Sequence, residues 1–303
     1  MKIYTTWLFL LFCATSVLYA QEKTRVLVIE GVSNHDWRHR VDILRNILAK
    51  DATLDVDVSI TPATAGHADW ATWRPNFAKY DVVISGYNDI GVAGGLRWPA
   101  EVEQAFEKYV SGGGGFIAFH EANNAFPAWV EYNKMIGLGW RNKNAGKAIV
   151  VDNDESIIEV AVGAGQDTGH GARVNVEVKR LADAHPIYAG LPDSWMAADL
   201  EVYRYARGPA ENLTVLTYAH EAATNLQFPI EWATSYGEGR VYVSTYCHVW
   251  AGQAQPIGAR CAAFQTTFLR SVRWAAKKAV DPVVPADHRH RVRERLQAVP
   301  AGL

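Results

Sequence analysis

GGGGFIAFHEANNAFPAW (Gly112–Trp129) joins four glycines to a short apolar run that ends in His120, Glu121, Asn123 and Asn124. The glycines read as a helix C-cap and a tight turn into a strand. Phe116 to Phe119 is apolar at every position, the pattern of a strand buried on both faces of a parallel sheet. Such a strand has no packing reason to end in hydrogen-bonding side chains. In open α/β sheets, however, ligands bind beyond the carboxyl ends of the strands, so the HEANN burst points to the floor of a site.

The same rhythm extends in both directions. Arg25 to Glu30 (RVLVIE), Val56 to Ile60, Tyr80 to Ser85 (YDVVIS) and Arg240 to Thr245 (RVYVST) read as further strands. Val41, Leu44, Ile47 and Leu48 recur at helical spacing, and Val102, Phe106, Tyr109 and Val110 do so after Pro99. A last helix carries Phe264, Phe268, Val272 and Trp274 and closes the domain near Lys278. Strand and helix in alternation predict an α/β fold with a doubly wound, mostly parallel sheet. Between Ala148 and Glu177 short strands with polar breaks predict an antiparallel excursion. The organisation expected is a leader over residues 1–20, one α/β domain over 24–279 and a basic tail over 280–303.

The chain of 303 residues is 49% hydrophobic with a formal net charge of −2, a globular composition without the basic excess that nucleic-acid partners require. Lys2, the apolar run Trp7 to Leu18 and the Leu18-Tyr19-Ala20 step form a secretory signal with its cleavage site. The run is shorter than the ~20 residues of a membrane span. The expectation is a periplasmic or extracellular protein with no membrane span after cleavage. Losing Lys2 leaves 29 basic against 32 acidic residues, a net −3. Cys247 and Cys261 remain, to pair or to stay as thiols.

Polar residues gather at the strand ends: His35 and Trp37 after the first, Asn88 after the third, the HEANN residues after the fourth, and His248 with Trp250 after the last. His67 and His185 read as structural. Histidines converging from separate strands suit proton transfer near neutral pH or binding of a divalent ion by His35, His120 and His248. None of these three histidines belongs to an HxH or HExxH pair that would favour the ion. No Gly-Lys-Ser/Thr follows the Gly112–Gly115 run, so it is not a P-loop, GxGxxG is missing where the first strand meets its helix, and Ser85 and Ser244 lack a GxSxG elbow.

These residues also carry a resemblance. GVSNHDWRH (31–39), the stretch from Gly112 through Trp140, GHG (169–171), HPIYAGLPDSW (185–195), EVYRYARGPAENLTVL (201–216) and YGEGRVYVSTYCH (236–248) resemble, in order, the ThuA-like (trehalose-utilisation) family of the class I glutamine amidotransferase-like superfamily. The resemblance implies a flavodoxin-like α/β sandwich that has lost the amidotransferase cysteine. It further implies carbohydrate catabolism, including 3-keto-glycosides, with His35, His120, His170, His248, Glu201 and Tyr203 as motif residues. Leu200 stands where the resemblance expects an acid, Asn225 to Phe228 replaces a polar segment, and Cys247 takes a glycine position.

The function expected is a secreted enzyme acting on a small keto sugar by proton abstraction. His120 is the base, His248 the acid and Glu121 the orienting group. Asn88, Asn123 and Asn124 hold hydroxyls, Trp37 or Trp129 stacks on the ring, and His35, His170, Glu201 and Tyr203 complete the binding set. No cofactor is firmly implied, and a divalent metal stays open. The alternative is a non-catalytic sugar-binding accessory protein on a degenerate amidotransferase-like scaffold.

Overall fold

A computed structural model describes residues 22–283 apart from 94, 182–184 and 255. The leader and the tail beyond residue 283 lie outside the described residues. Among those described, no helix is long and apolar enough to cross a membrane.

In chain order, β1 (Thr24–Glu30), α1 (Trp37–Leu48), β2 (Leu54–Ile60), β3 (Val82–Ser85), α2 (Ala100–Ser111), β4 (Gly115–Phe119) and α3 (Val130–Ile136) form the first half. They lead into β5 (Lys147–Val151), β6 (Ile157–Val160), β7 (Gly169–His170), β8 (Val174–Arg180), β9 (Ser194–Leu200), β10 (Tyr203–Arg204) and β11 (Arg207–Gly208). Then come β12 (Thr214–Glu221), β13 (Leu226–Tyr236), β14 (Gly239–Ser244) and α4 (Ala262–Ala275).

The main sheet runs β2-β1-β3-β4-β14-β13-β12-β8-β9. Its first five strands are parallel and its remaining pairs antiparallel. This is the α/β, mostly parallel, flavodoxin-like architecture, with the strand order reversing at β1. The antiparallel excursion is present: β6 and β11 pair with β5 off the main strand order, and β5 joins that order at β13. Antiparallel strands also widen the main order beyond β14, through the long β12–β13 hairpin that the residue pattern did not assign.

Both faces are covered. Val26 and Val28 of β1 join Leu44, Ile47, Phe264 and Phe268 in one core, whereas Leu27 and Ile29 join Val102, Phe106, Tyr132 and Ile136 in the other. The alternation explains why β1 is apolar throughout: each face meets a helical layer. Asp36 caps α1 by accepting from the His39 amide at 3.1 Å. The register sets Ile29 beside Ser85, Ser85 beside Ala118 and Phe119 beside Ser244. The loops after β1, β3, β4 and β14 therefore emerge level on one edge.

The extension is tied in by Glu231 of β13, buried and accepting from Thr217 (2.8 Å), Tyr188 (2.9 Å), Thr267 (3.0 Å) and Tyr242. No disulfide joins Cys247 and Cys261. The glycine run does two jobs. Gly113 turns the chain at φ +108°, and a Cβ on Gly115 would stand 2.7 Å from the Ala275 carbonyl oxygen, so its absence lets α4 lie against β4. Gly239 faces the same crowding, with 2.1 Å from a Cβ to the Val110 carbonyl oxygen. Gly239→Ala is expected to lower stability by ~1–3 kcal/mol through this overpacking. A urea midpoint equal to wild type would show that the end of α2 yields without cost.

Candidate functional site

At the end of β4 the chain turns sharply, and His120 takes φ +46° in the first residue of a short 3₁₀ turn through Asn124. A non-glycine residue held in this region marks strain that the surrounding sheet sustains. At the end of β14, Cys247 sits at φ +68°, which accounts for the glycine expected there. The His120 ring is fixed by its Nδ1, which donates to the Thr245 carbonyl oxygen at 2.8 Å. His35 enters from the loop after β1. Its amide donates to Ser33 Oγ at 2.9 Å, and its Nδ1 lies 2.9 Å from Asn34 Oδ1, which also receives Asn88 Nδ2 at 2.7 Å.

The three rings converge. Centroids of His35 and His248 are 4.5 Å apart, those of His35 and His120 5.2 Å, and those of His120 and His248 5.3 Å. One nitrogen of each lies within 4.8 Å of the others, the set among the described residues able to hold a metal ion. Glu201 hangs over them, 3.5 Å from His248 Nε2, 3.7 Å from His170 Nε2 and 4.0 Å from His120 Nε2. The His248 Nδ1 accepts from Arg173 at 3.0 Å.

Beneath the rings lies a buried charge cluster. Arg40 of α1 donates to both Glu30 oxygens (2.6 and 2.5 Å), to the Gly86 carbonyl oxygen (2.8 Å) and to Glu121. Ser33 Oγ donates to Glu121 Oε1 at 2.7 Å, and His35 Nδ1 is 3.6 Å from that oxygen. Burial pushes Glu121 up, but Arg40 and the neighbouring imidazoles outweigh it and hold the carboxyl down at about 2. Burial raises Glu30 to about 7 against the pull of the same arginine. Burial also drives the imidazoles to the neutral form, His35 to about 4 and His120 and His248 to about 3. Glu201 is raised, again chiefly by burial.

Above the rings opens a cleft of about 430 Å³, with His35, His170, His248, Glu201, Tyr203 and Asn124 on its walls together with Trp140 and Trp250. Trp140 packs edge-on to Tyr203 at 5.1 Å, and Trp250 stacks on His248 at 5.6 Å. Several buried polar atoms in this region have no partner: His120 Nε2, Glu121 Oε2, both amide atoms of Asn123 and Asn124 Oδ1. Orphans of this kind are rare in folded proteins and gather where a ligand completes the bonding.

Several sequence expectations need correction. Trp129 is buried in an aromatic cluster with Trp98, Phe106 and Phe126, and its Nε1 donates to Glu107 at 2.6 Å, so it offers no stacking face. Trp37 opens α1 under the guanidinium of Arg38, 4.3 Å from the ring centroid, and is not on the cleft wall. Asn88 is buried and spends its amide on Asn34, which makes it a support for His35. His120 is buried too, with no opening of its Nε2 to the cleft, a poor position from which to take a substrate proton. Glu121 lies beneath the rings, held by Arg40 and Ser33. Arg40, Trp140 and Arg173 were not singled out. Trp140 closes the GLGW stretch, and Arg40 lies on the apolar stripe of α1, four residues before Leu44, where a charge must find a buried partner.

A ThuA-like protein from Parabacteroides merdae superposes with a TM-score of 0.80 at 30% identity, over 88% of this chain and 94% of its own. A ThuA-like protein from Bacteroides uniformis shares the fold at a TM-score of 0.53 and 17% identity, over 84% of this chain and 93% of its own. A comparison with curated proteins finds no match. The family model described as trehalose utilisation matches residues 25–275, and the chain belongs to this ThuA family.

Proposed function

We propose that the chain is a secreted enzyme acting on keto sugars of the 3-keto-glycoside type by side-chain proton abstraction, with Glu201 as the base. The observation that carries this reading is the position of Glu201. It is a mostly buried carboxylate of raised pKa on the wall of a cleft lined also by imidazoles, amides, indole faces and the guanidinium of Arg173. Trp140 and Trp250 suit the apolar faces of a pyranose, and Asn124 Oδ1 with Tyr203 suits its hydroxyls. Membership of a family tied to trehalose utilisation supports the substrate class.

The chemistry follows from acidity. A ketone at C3 acidifies the C2 hydrogen, and Glu201 takes that proton to leave an enolate spread over C2, C3 and the ketone oxygen. A carboxylate raised by burial is a stronger base than an exposed one. From the enolate, expulsion of the C1 oxygen with protonation of the leaving group gives elimination. Transfer of a proton between the C2 and C3 oxygens, with return of a proton to C3, gives the 2-keto isomer. His170 stands 3.7 Å from the carboxylate and passes protons to these oxygens.

Two measurements test this. In D₂O, wild type is expected to place deuterium at C2 of 3-keto-trehalose or a 3-keto-glucoside, followed by NMR. Glu201→Gln is expected to slow that exchange ~10²–10⁴-fold while still binding the sugar. Full exchange in the Gln variant would remove Glu201 from the role of base, and saturable binding without exchange in wild type would instead identify the sugar-binding accessory protein. Trp250→Ala is expected to weaken sugar binding by ~1 kcal/mol, about fivefold, with little loss of turnover at saturation. An unchanged affinity would take Trp250 off the sugar face.

A further inference from the structure

We propose that His35, His120 and His248 bind one divalent first-row transition-metal ion, with an open coordination position facing the cleft under Glu201. Three strand ends each deliver one imidazole, and one nitrogen of each lies within 4.8 Å of the others. Two nitrogens on opposite sides of a single ion stand ~4.2 Å apart, twice the usual ~2.1 Å bond, so small ring movements complete the set.

At His120 and His35 the hydrogen bonds already select the ligating tautomer. Nδ1 of His120 faces a backbone carbonyl oxygen and Nδ1 of His35 an amide oxygen, and both oxygens only accept. Each Nδ1 therefore carries the proton, and each Nε2 presents a lone pair. Outer hydrogen bonds of this kind orient metal-ligating histidines. The His120 lone pair is the decisive one. Its Nε2 is fully buried and has no hydrogen-bond partner, which a protein tolerates poorly unless something occupies the place.

A carboxylate lies beneath the same rings: Glu121 Oε1 is 3.6 Å from His35 Nδ1, and its Oε2 is buried with no hydrogen-bond partner. At His248 the ion requires one exchange: with Nε2 as ligand, Nδ1 must carry the proton, so Arg173 releases it and keeps Gln253 (3.3 Å) and Asp199 (3.6 Å). Three histidines with one free position form the arrangement of metal sites that act on substrate, by polarising a carbonyl oxygen placed there. That last role rests on the keto-sugar reading. Binding of the ion does not.

The test uses the mature chain purified without a histidine tag, stripped with EDTA and desalted. Wild type is expected to take up one equivalent of Zn²⁺ by calorimetry and one of Co²⁺ with ligand-field absorption. His35→Ala and His248→Ala, shown folded by circular dichroism, are expected to lose more than ~100-fold in affinity. His170→Ala and Glu201→Gln are expected to keep the ion. A folded wild type that binds neither ion at ~1 mM, or equal affinity in both histidine variants, would overturn the site. Because Glu201→Gln keeps the metal, full deuterium exchange in that variant counts against Glu201 as base and leaves the metal site standing.

Discussion

One guanidinium organises the site edge. Arg40 reaches from the buried face of α1 to Glu30 at the end of β1, to the carbonyl of Gly86 after β3 and to Glu121 after β4. It therefore pins three of the strand ends that carry the site. Gly86 has no side chain because there is no room: a Cβ would stand 2.1 Å from Glu30 Oε1. Desolvating such a cluster is expensive, and removing one partner from a buried pair typically costs ~3–5 kcal/mol because the other charge is stranded. One cation cannot neutralise two carboxylates. The conflict resolves unequally, with Glu30 lifted to about 7 and Glu121 held at about 2. The negative charge thus stays on the carboxylate that touches the imidazoles.

Strain concentrates beside that cluster. His120 and Cys247 both adopt left-handed backbone without being glycine, a cost of about 1–3 kcal/mol each. They flank the same spot, one at the end of β4 and one at the end of β14, adjacent strands paired in register up to Ser244 and Phe119. The bond from His120 to the Thr245 carbonyl crosses between them. A turn of this hand brings the imidazole back over the strand end instead of out along the helix that follows. The ring is then buried, which lowers its affinity for a proton and leaves its Nε2 bare. Backbone strain and the neutral state of the site are two results of one turn.

Much of this was legible in the residues. Apolar periodicity records burial, so the parallel strands, α1, α2 and α4 could be read directly, and the strand-end rule brought His35, His120 and His248 together from positions far apart in the chain. Periodicity does not record which aromatic ring is left uncovered. Trp129 and Trp140 look alike in sequence, yet one fills the core beside Trp98 and the other walls the cleft. The resemblance, not the pattern, singled out Glu201 and Tyr203, because they follow β9 in the extension and no parallel-strand rule reaches them. The β12–β13 hairpin escapes the residue pattern because both strands are buried through most of their length and lack the alternation of half-exposed strands.

The extension explains how a strand edge becomes a cleft. The parallel half supplies His35, His120 and His248 and fixes them through backbone and amide oxygens. Left alone, those rings would lie on a shallow surface. The antiparallel half brings Glu201 and Tyr203 across them, and the small ladder between β7 and β10 sets Tyr203 opposite His170. That ladder places His170 within 3.7 Å of the carboxylate, although the histidine itself is more exposed than the three rings below. The two halves therefore face different constraints. Changes in the parallel half disturb buried charge and strained backbone together. The rim formed by Trp140, His170, Arg173 and Trp250 can change with little effect on the core. A fold built this way keeps one set of neutral nitrogens and varies what is presented to them.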